Sequence, residues 1–239
     1  PFERPLLVAS PPAVAVLALD QGTGDAARPL VGPGTRVRVG SLVARAGGPG
    51  SSPLHSPVSG VARGVETRTT LSGPGPCLVI ENDGLDAADP GRTPVEWASL
   101  DADALIECIG EAGIAGLGGA AFPTAVKLAL ARARDVDLLL LNGVECEPWI
   151  CCDDALMRTR AADVVLGARV MLAACGARHC TIVLESDKPE AAASLAGVLE
   201  ATADDRLSLE ILPTVYPLGA ERQLIESVTG REVPGDALP

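Results

Sequence analysis

The order of apolar and polar positions changes character partway along the chain. Up to about residue 92 the apolar residues come in short Val- and Leu-rich runs cut by Gly, Pro and Ser, such as RVRVGSLVARA, SPVSGVARGVE and PCLVIEND. Short β-branched runs bounded by turn formers predict small strands. From about residue 96 the spacing becomes helical: Leu105, Ile106 and Ile109 fall on one face of a helix. A buried strand follows over VDLLLL (136–141), then one long helix over 153–175, a strand over 180–186, a helix over 189–202, a strand over 207–212 and a helix over 219–229. Strands alternating with helices of these lengths predict an α/β domain, a mostly parallel sheet with flanking helices. The turn-rich stretch DGLDAADPGRTPVEWASL joins the halves, so the expected organisation is a small all-β domain over residues 1–92 and an α/β domain over 93–239.

Composition narrows the partners. The chain has 239 residues, 47% of them hydrophobic, which suffices for a sizeable core. No apolar run approaches the roughly 20 residues of a membrane helix, so no transmembrane segment is expected and the cytoplasm is the default compartment. A formal charge of −12 and only 2% aromatics argue against a nucleic-acid surface, which needs clustered cations or stacking platforms. Seven cysteines, an odd number without a CxxC pair, favour reduced thiols and predict no metal centre within this chain.

Two stretches of the second half carry candidate chemistry. In GLGGAAFPTAVKL, Gly116, Gly118 and Gly119 let a backbone approach a ligand closely. Pro123 suits a helix start, whose unpaired N–H groups and dipole favour an anion such as phosphate. Lys127 lies one turn further on, one of only two lysines (with Lys188) among 19 basic residues. The pattern is neither a Walker A loop nor a dinucleotide-binding fingerprint, and a plain structural corner remains the alternative. The second stretch, NGVECEP, follows strand 136–141 at the end where open α/β sheets take ligands. Glu145 and Glu147, two apart, point the same way in an extended turn, facing either one cleft or solvent. Asp153 and Asp154 match the dipole of the helix they begin.

These stretches, with YPLGAERQLIESVTGREVP, resemble in order and spacing the C subunit of the Rnf electron-transport complex. More distantly they are similar to the flavin-binding, NADH-oxidising subunit of respiratory complex I, with its GRGGAGFPTGxKW, NxDExEPG and YxxGEExAL motifs. VGPGTRVRVGSLVARA and SPVSGVARGVE resemble the paired halves of lipoyl-like barrel-sandwich domains, but the intervening GGPGSSPLH lacks the lysine a carrier needs, so a docking role is expected; His55, beside it, is expected to be exposed and inert.

The resemblance implies an FMN pocket with NAD(H) stacked over the flavin and no catalytic acid or base. Gly116, Gly118 and Gly119 would line FMN, Lys127 would lie near its phosphate or ring edge, and Asn142 and Glu145 would hydrogen-bond it. Glu147 would contact the nicotinamide nucleotide, Phe122 would stack on adenine, and Tyr216, Gly219 and Glu221 would close the site. Leu117, Ala121, Val144 and Ala220 depart from the complex I pattern. The family's four-iron four-sulfur clusters belong to CxxCxxCxxxCP repeats expected only beyond this chain. The implied partners are the membrane and iron–sulfur subunits of an Rnf-type complex, holding the protein at the inner face of the cell membrane. The implied activity is that of one subunit within an ion-translocating ferredoxin:NAD oxidoreductase. The alternatives are a related flavin-dependent cobalamin reductase and a non-catalytic assembly module.

Overall fold

The structure is a computed structural model that describes residues 7–22, 24–117 and 121–235. They divide into two compact units, one of residues 8–130 and one beginning at residue 131.

The first unit is built on two antiparallel sheets. One takes β1 (Val14–Ala18), β3 (Arg36–Val37), β6 (Gly60–Thr70) and β7 (Gly73–Asn82) in the order β1-β7-β6-β3. The other takes β2 (Arg28–Pro29), β4 (Leu42–Arg45) and β5 (Leu54–His55) in the order β2-β4-β5. The long β6–β7 hairpin carries a bulge between Ala62 and Gly64, which bends the pair. The run Cys77–Ile80 is buried residue after residue instead of alternating, so β7, a central strand of its sheet, is covered on both faces. Leu78 and Ile80 pack with Val37, Val43 and Val58 into the core of this barrel-sandwich half. A single turn of 3-10 helix (Trp97–Ser99) leads to α1 (Ala102–Glu111), capped by Asp101 Oδ1, which accepts the N–H of Ala104 at 2.9 Å. Leu105 and Ile109 are its buried face, with Ile106 only partly covered. Helix α2 (Thr124–Ala133) follows the glycine corner.

His55 is not exposed: it is half-buried on β5, and burial, then Arg92, push its imidazole below the ordinary histidine value. The expectation of an exposed side chain does not allow for a strand so short that its neighbours cover it.

The second unit is a parallel sheet with helices between its strands: β8 (Leu138–Asn142), β9 (His179–Glu185) and β10 (Leu207–Leu212), in the order β10-β9-β8. Helices α3 (Cys152–Thr159), α4 (Ala161–Cys175), α5 (Pro189–Thr202) and α6 (Glu221–Thr229) complete it. The expected α/β architecture preceded by an all-β barrel-sandwich half is therefore present.

Two details differ from the sequence reading. The apolar run 136–141 is only half-buried, since β8 is an edge strand of this sheet. And the expected helix over 153–175 is two helices, broken at Arg160 (φ −129, ψ 31). There the Arg160 N–H closes α3 on the carbonyl of Leu156 at 2.7 Å, while its own carbonyl accepts from Asp163 and Val164 to open α4. Its guanidinium pairs with Asp163, which holds the corner without Gly or Pro.

Candidate functional site

The acidic turn leaves β8 at the carboxyl end of the parallel sheet and is fixed by side chains reaching backbone. Asn142 Oδ1 accepts the N–H of Val144 at 3.0 Å, folding the turn on itself. Asn142 Nδ2 donates to the carbonyl of Gly219 at 2.9 Å, which ties this turn to the 216–220 turn. That approach is close: a Cβ on Gly219 would lie 2.5 Å from the Val144 carbonyl oxygen and 2.9 Å from Cys146 Sγ. A Cβ on Gly143 would lie 2.9 Å from both Met157 Sδ and the Val183 carbonyl oxygen. Below the turn, Val144, Val183, Leu212 and Leu224 form a buried cluster, with Cys146 and Leu218 packed against it. The second and third motifs of the sequence reading thus share one structure. Cys146 behaves there as a small apolar side chain.

Glu145 is 8% exposed, and its carboxylate faces the start of α3. Oε1 accepts the N–H of Asp153 at 2.8 Å and Oε2 that of Asp154 at 3.2 Å, so the residue caps a helix from eight positions upstream. Asp153 and Asp154 occupy the first turn, as expected. Burial, and then the Glu145 carboxylate, push the Asp153 carboxyl above its ordinary value, with Lys188 among the groups acting the other way. Burial and the same acids push the Cys152 thiol up. Glu145, Cys152 and Asp153 bring ligating atoms within 4.8 Å of one another. Both Glu145 oxygens accept from backbone, so the carboxylate serves here as the cap of α3.

The remaining second-unit candidates surround this edge. Glu147 is exposed beyond the turn, Tyr216 is 65% exposed, and Glu221 opens α6.

The glycine corner belongs to the first unit. Gly116 donates its N–H to the Phe122 carbonyl at 2.9 Å, and Thr124 donates to Ile114 at 2.9 Å, closing a small loop. Gly118 and Gly119 lie outside the described residues. Ala121 sits at φ 47 and Phe122 is half-buried. Pro123 precedes α2 instead of beginning it, and its carbonyl accepts from Val126 and Lys127. The first-turn N–H groups of Thr124, Val126 and Lys127 are therefore engaged within the corner; an anion there would meet the helix dipole and the exposed Lys127 more than open amides.

A buried pair that the sequence reading did not assign sits at the end of β9. Lys188 Nζ lies 3.3 Å from Glu185 Oε2 and 3.1 Å from Asp187 Oδ1, with Lys188 8% and Glu185 1% exposed. The one available signal was the rarity of lysine in this chain.

Comparison with known proteins gives a consistent pattern. Residues 109–239 match the family model described as the Nuo51 FMN-binding domain, and residues 2–85 match that of the RnfC barrel sandwich hybrid domain. The C subunit of the Na(+)-translocating ferredoxin:NAD(+) oxidoreductase complex of Acetobacterium woodii is 40% identical over 239 residues, covering 99% of this chain and 54% of its own length. The C subunit of the ion-translocating oxidoreductase complex of Pseudomonas aeruginosa is 42% identical over 227 residues, covering 94% of this chain and 29% of its own. The chain thus spans about half, or less, of the length of these relatives. A crystal structure of an NAD+-reducing NiFe hydrogenase aligns over 55% of this chain and 24% of its own at TM-score 0.48 and 30% identity.

Proposed function

From the premise that the chain belongs to the Nuo51 FMN-binding domain family, with an RnfC-type barrel sandwich hybrid domain ahead of it, we propose that it is the FMN- and NAD(H)-binding part of an RnfC-type protein. The observation that carries this reading is the joining of the acidic turn to the 216–220 turn through Asn142 and Gly219, at the sheet end where α/β folds take ligands.

The residues present suit a phosphorylated, hydrogen-bonding ring. At Gly116 an added Cβ would meet only the Phe122 carbonyl oxygen, at 3.8 Å, among the described residues. Lys127 would supply a cation for phosphate. Asn142 keeps one amide hydrogen beyond its bond to Gly219. Glu145 serves this site by holding α3 against the turn, and also hydrogen-bonds the flavin with its remaining lone pairs. Glu147 would take the nicotinamide nucleotide, Phe122 would stack on its adenine, and Tyr216, Gly219 and Glu221 would close the site. FMN, when bound, supplies the means of taking a hydride from NADH and releasing the electrons one at a time. The chain contributes alignment and exclusion of water, with no side chain acting as acid or base.

Four-iron four-sulfur clusters outside this chain would supply the one-electron partners of the flavin. The partners are the membrane and iron–sulfur subunits of an Rnf-type, ion-translocating ferredoxin:NAD oxidoreductase, with the protein peripheral to the inner face of the membrane. Among the described residues, no helix is long and apolar enough to cross a membrane. We place the boundary between the barrel-sandwich and flavin domains near residue 92, where limited proteolysis should cut first.

The test is anaerobic titration of the purified chain with FMN, then NADH. Bound flavin that bleaches on NADH addition is the expected result. Lys127→Ala loses the flavin, whereas Glu147→Gln keeps it and slows bleaching. A second reading, an assembly module with a degenerate pocket, draws on the engagement of both Glu145 oxygens by α3. A chain that takes up neither FMN nor NADH would establish that reading instead.

A further inference from the structure

The register of the parallel sheet decides which side chains share a face. Asn142 is paired with Val183 and Leu212 with Glu185. Side chains two apart on a strand point the same way, and paired residues of neighbouring strands share a face, so Asn142, Val183, Glu185 and Leu212 lie on one side of the sheet. Val183 and Leu212 pack there against Val144 of the acidic turn and Leu224 of α6. Glu185 stands at the end of this row, on the central strand, beside the turn that Asn142 anchors.

A carboxylate 1% exposed needs partners for both oxygens. Oε2 has Lys188 at 3.3 Å; Oε1 is buried with no hydrogen-bond partner at all. A buried acceptor left unpaired keeps its full desolvation cost, so folding alone does not favour it. Lys188 is itself nearly enclosed. Burial works to lower its pKa, yet Asp187 and Glu185 together hold the ammonium above its ordinary value, so it stays charged against Glu185. The fold therefore holds an acceptor oxygen, its charge balanced on the other side, at the carboxyl edge of the sheet.

We propose that Glu185 is a ligand-binding residue of the same site, its Oε1 accepting a hydrogen bond from an N–H or O–H donor of the bound flavin, with Lys188 as the residue that positions it. This rests on the reading of the site as a flavin pocket. Flavin mononucleotide offers two kinds of donor, the imide N–H of the ring and the hydroxyls of the ribityl chain. Removing the matching one leaves Oε1 unpaired in the complex. Discrimination of that kind is large, because the cost of an orphaned buried group falls wholly on the analogue.

The test compares the affinities of FMN, 3-methyl-FMN and 2′,3′,4′-trideoxy-FMN by fluorescence quenching, for the parent chain, Glu185→Leu and Lys188→Met, with thermal melts run alongside. The expected result is that the parent prefers FMN over one of the two analogues by at least tenfold. Glu185→Leu and Lys188→Met should narrow that preference several-fold, whereas a variant that merely loosened the fold would weaken all three ligands together. The parent's preference needs no variant to fold. If the parent binds all three ligands alike, or Glu185→Leu binds FMN with the preference intact, Oε1 serves a buried water and the inference is overturned while the flavin pocket stands. A parent that binds no flavin overturns both.

Discussion

The acidic turn and the glycine corner are both short, glycine-containing loops at the end of a regular element, yet they are held in different ways. In the acidic turn, Asn142 and Glu145 spend their polar atoms on backbone groups two, eight, nine and 77 residues away. In the glycine corner the bonds that close the loop, Gly116 to Phe122 and Thr124 to Ile114, run from backbone to backbone. A turn wired by side chains is rigid at chosen atoms and intolerant of substitution. A corner closed by its own backbone keeps its shape through many substitutions.

That contrast can be broken most sharply at Gly219. Adding a methyl group there drives it to 2.5 Å from the Val144 carbonyl oxygen, and the turns have to separate. Gly219→Ala should cost about 3 kcal/mol in urea unfolding, the upper part of the range for overpacking. An unchanged midpoint would show that the two turns are not locked together. Next in size is Glu145→Gln, which keeps the volume but gives up the charge of a buried two-bond cap. A loss of about 2 kcal/mol is expected, with reduced helicity by circular dichroism.

The wired character of the second unit extends to its far side and is visible in pH. The forked hydrogen bonds of Arg206, set against the opposing effect of burial, hold the Asp204 carboxyl down to about 2. A depressed carboxylate contributes stability that is present above its unfolded value and lost as pH falls. Melting temperature should therefore decline between about pH 4 and 2, and Asp204→Asn should flatten that decline by less than about 1 kcal/mol, because the Arg206 side of the pair is solvent-exposed. The smallest effect belongs to the glycine corner. Among the described residues Gly116→Ala meets nothing closer than 3.8 Å, so its stability should stay within about 0.5 kcal/mol of the parent. If the corner cradles a phosphate, FMN affinity falls all the same. A variant that changes neither quantity would mark Gly116 as an ordinary turn residue.

What the sequence disclosed follows the range of the forces involved. Helix α5 and strand β10 lie over 189–202 and 207–212 as their apolar period indicates, because period is a local property that burial reinforces. The break at Arg160 left no trace of that kind: it is set by where α3 docks, and neither Gly nor Pro marks it. Among the site residues, Asn142 and Gly219 were legible as members of two motifs, but their bond across 77 positions was not. Glu145 has the look of a ligand group in the sequence and caps α3 in the fold, a role that depends on a chain reversal no spacing rule encodes. Glu185 reads as the polar end of an apolar strand. Only the folded sheet shows that it is buried and half-paired.

The scarcity of lysine also gives the molecule a built-in reporter. One ammonium is enclosed against Glu185 and Asp187 and the other, on α2, is open to solvent. Of the two lysines, an amine-reactive dye will therefore favour the one at position 127, beside the glycine corner, once the α-amino group has been blocked. The dye's brightness and rate of attachment then report occupancy of that corner in real time, without a cysteine having to be engineered into the chain.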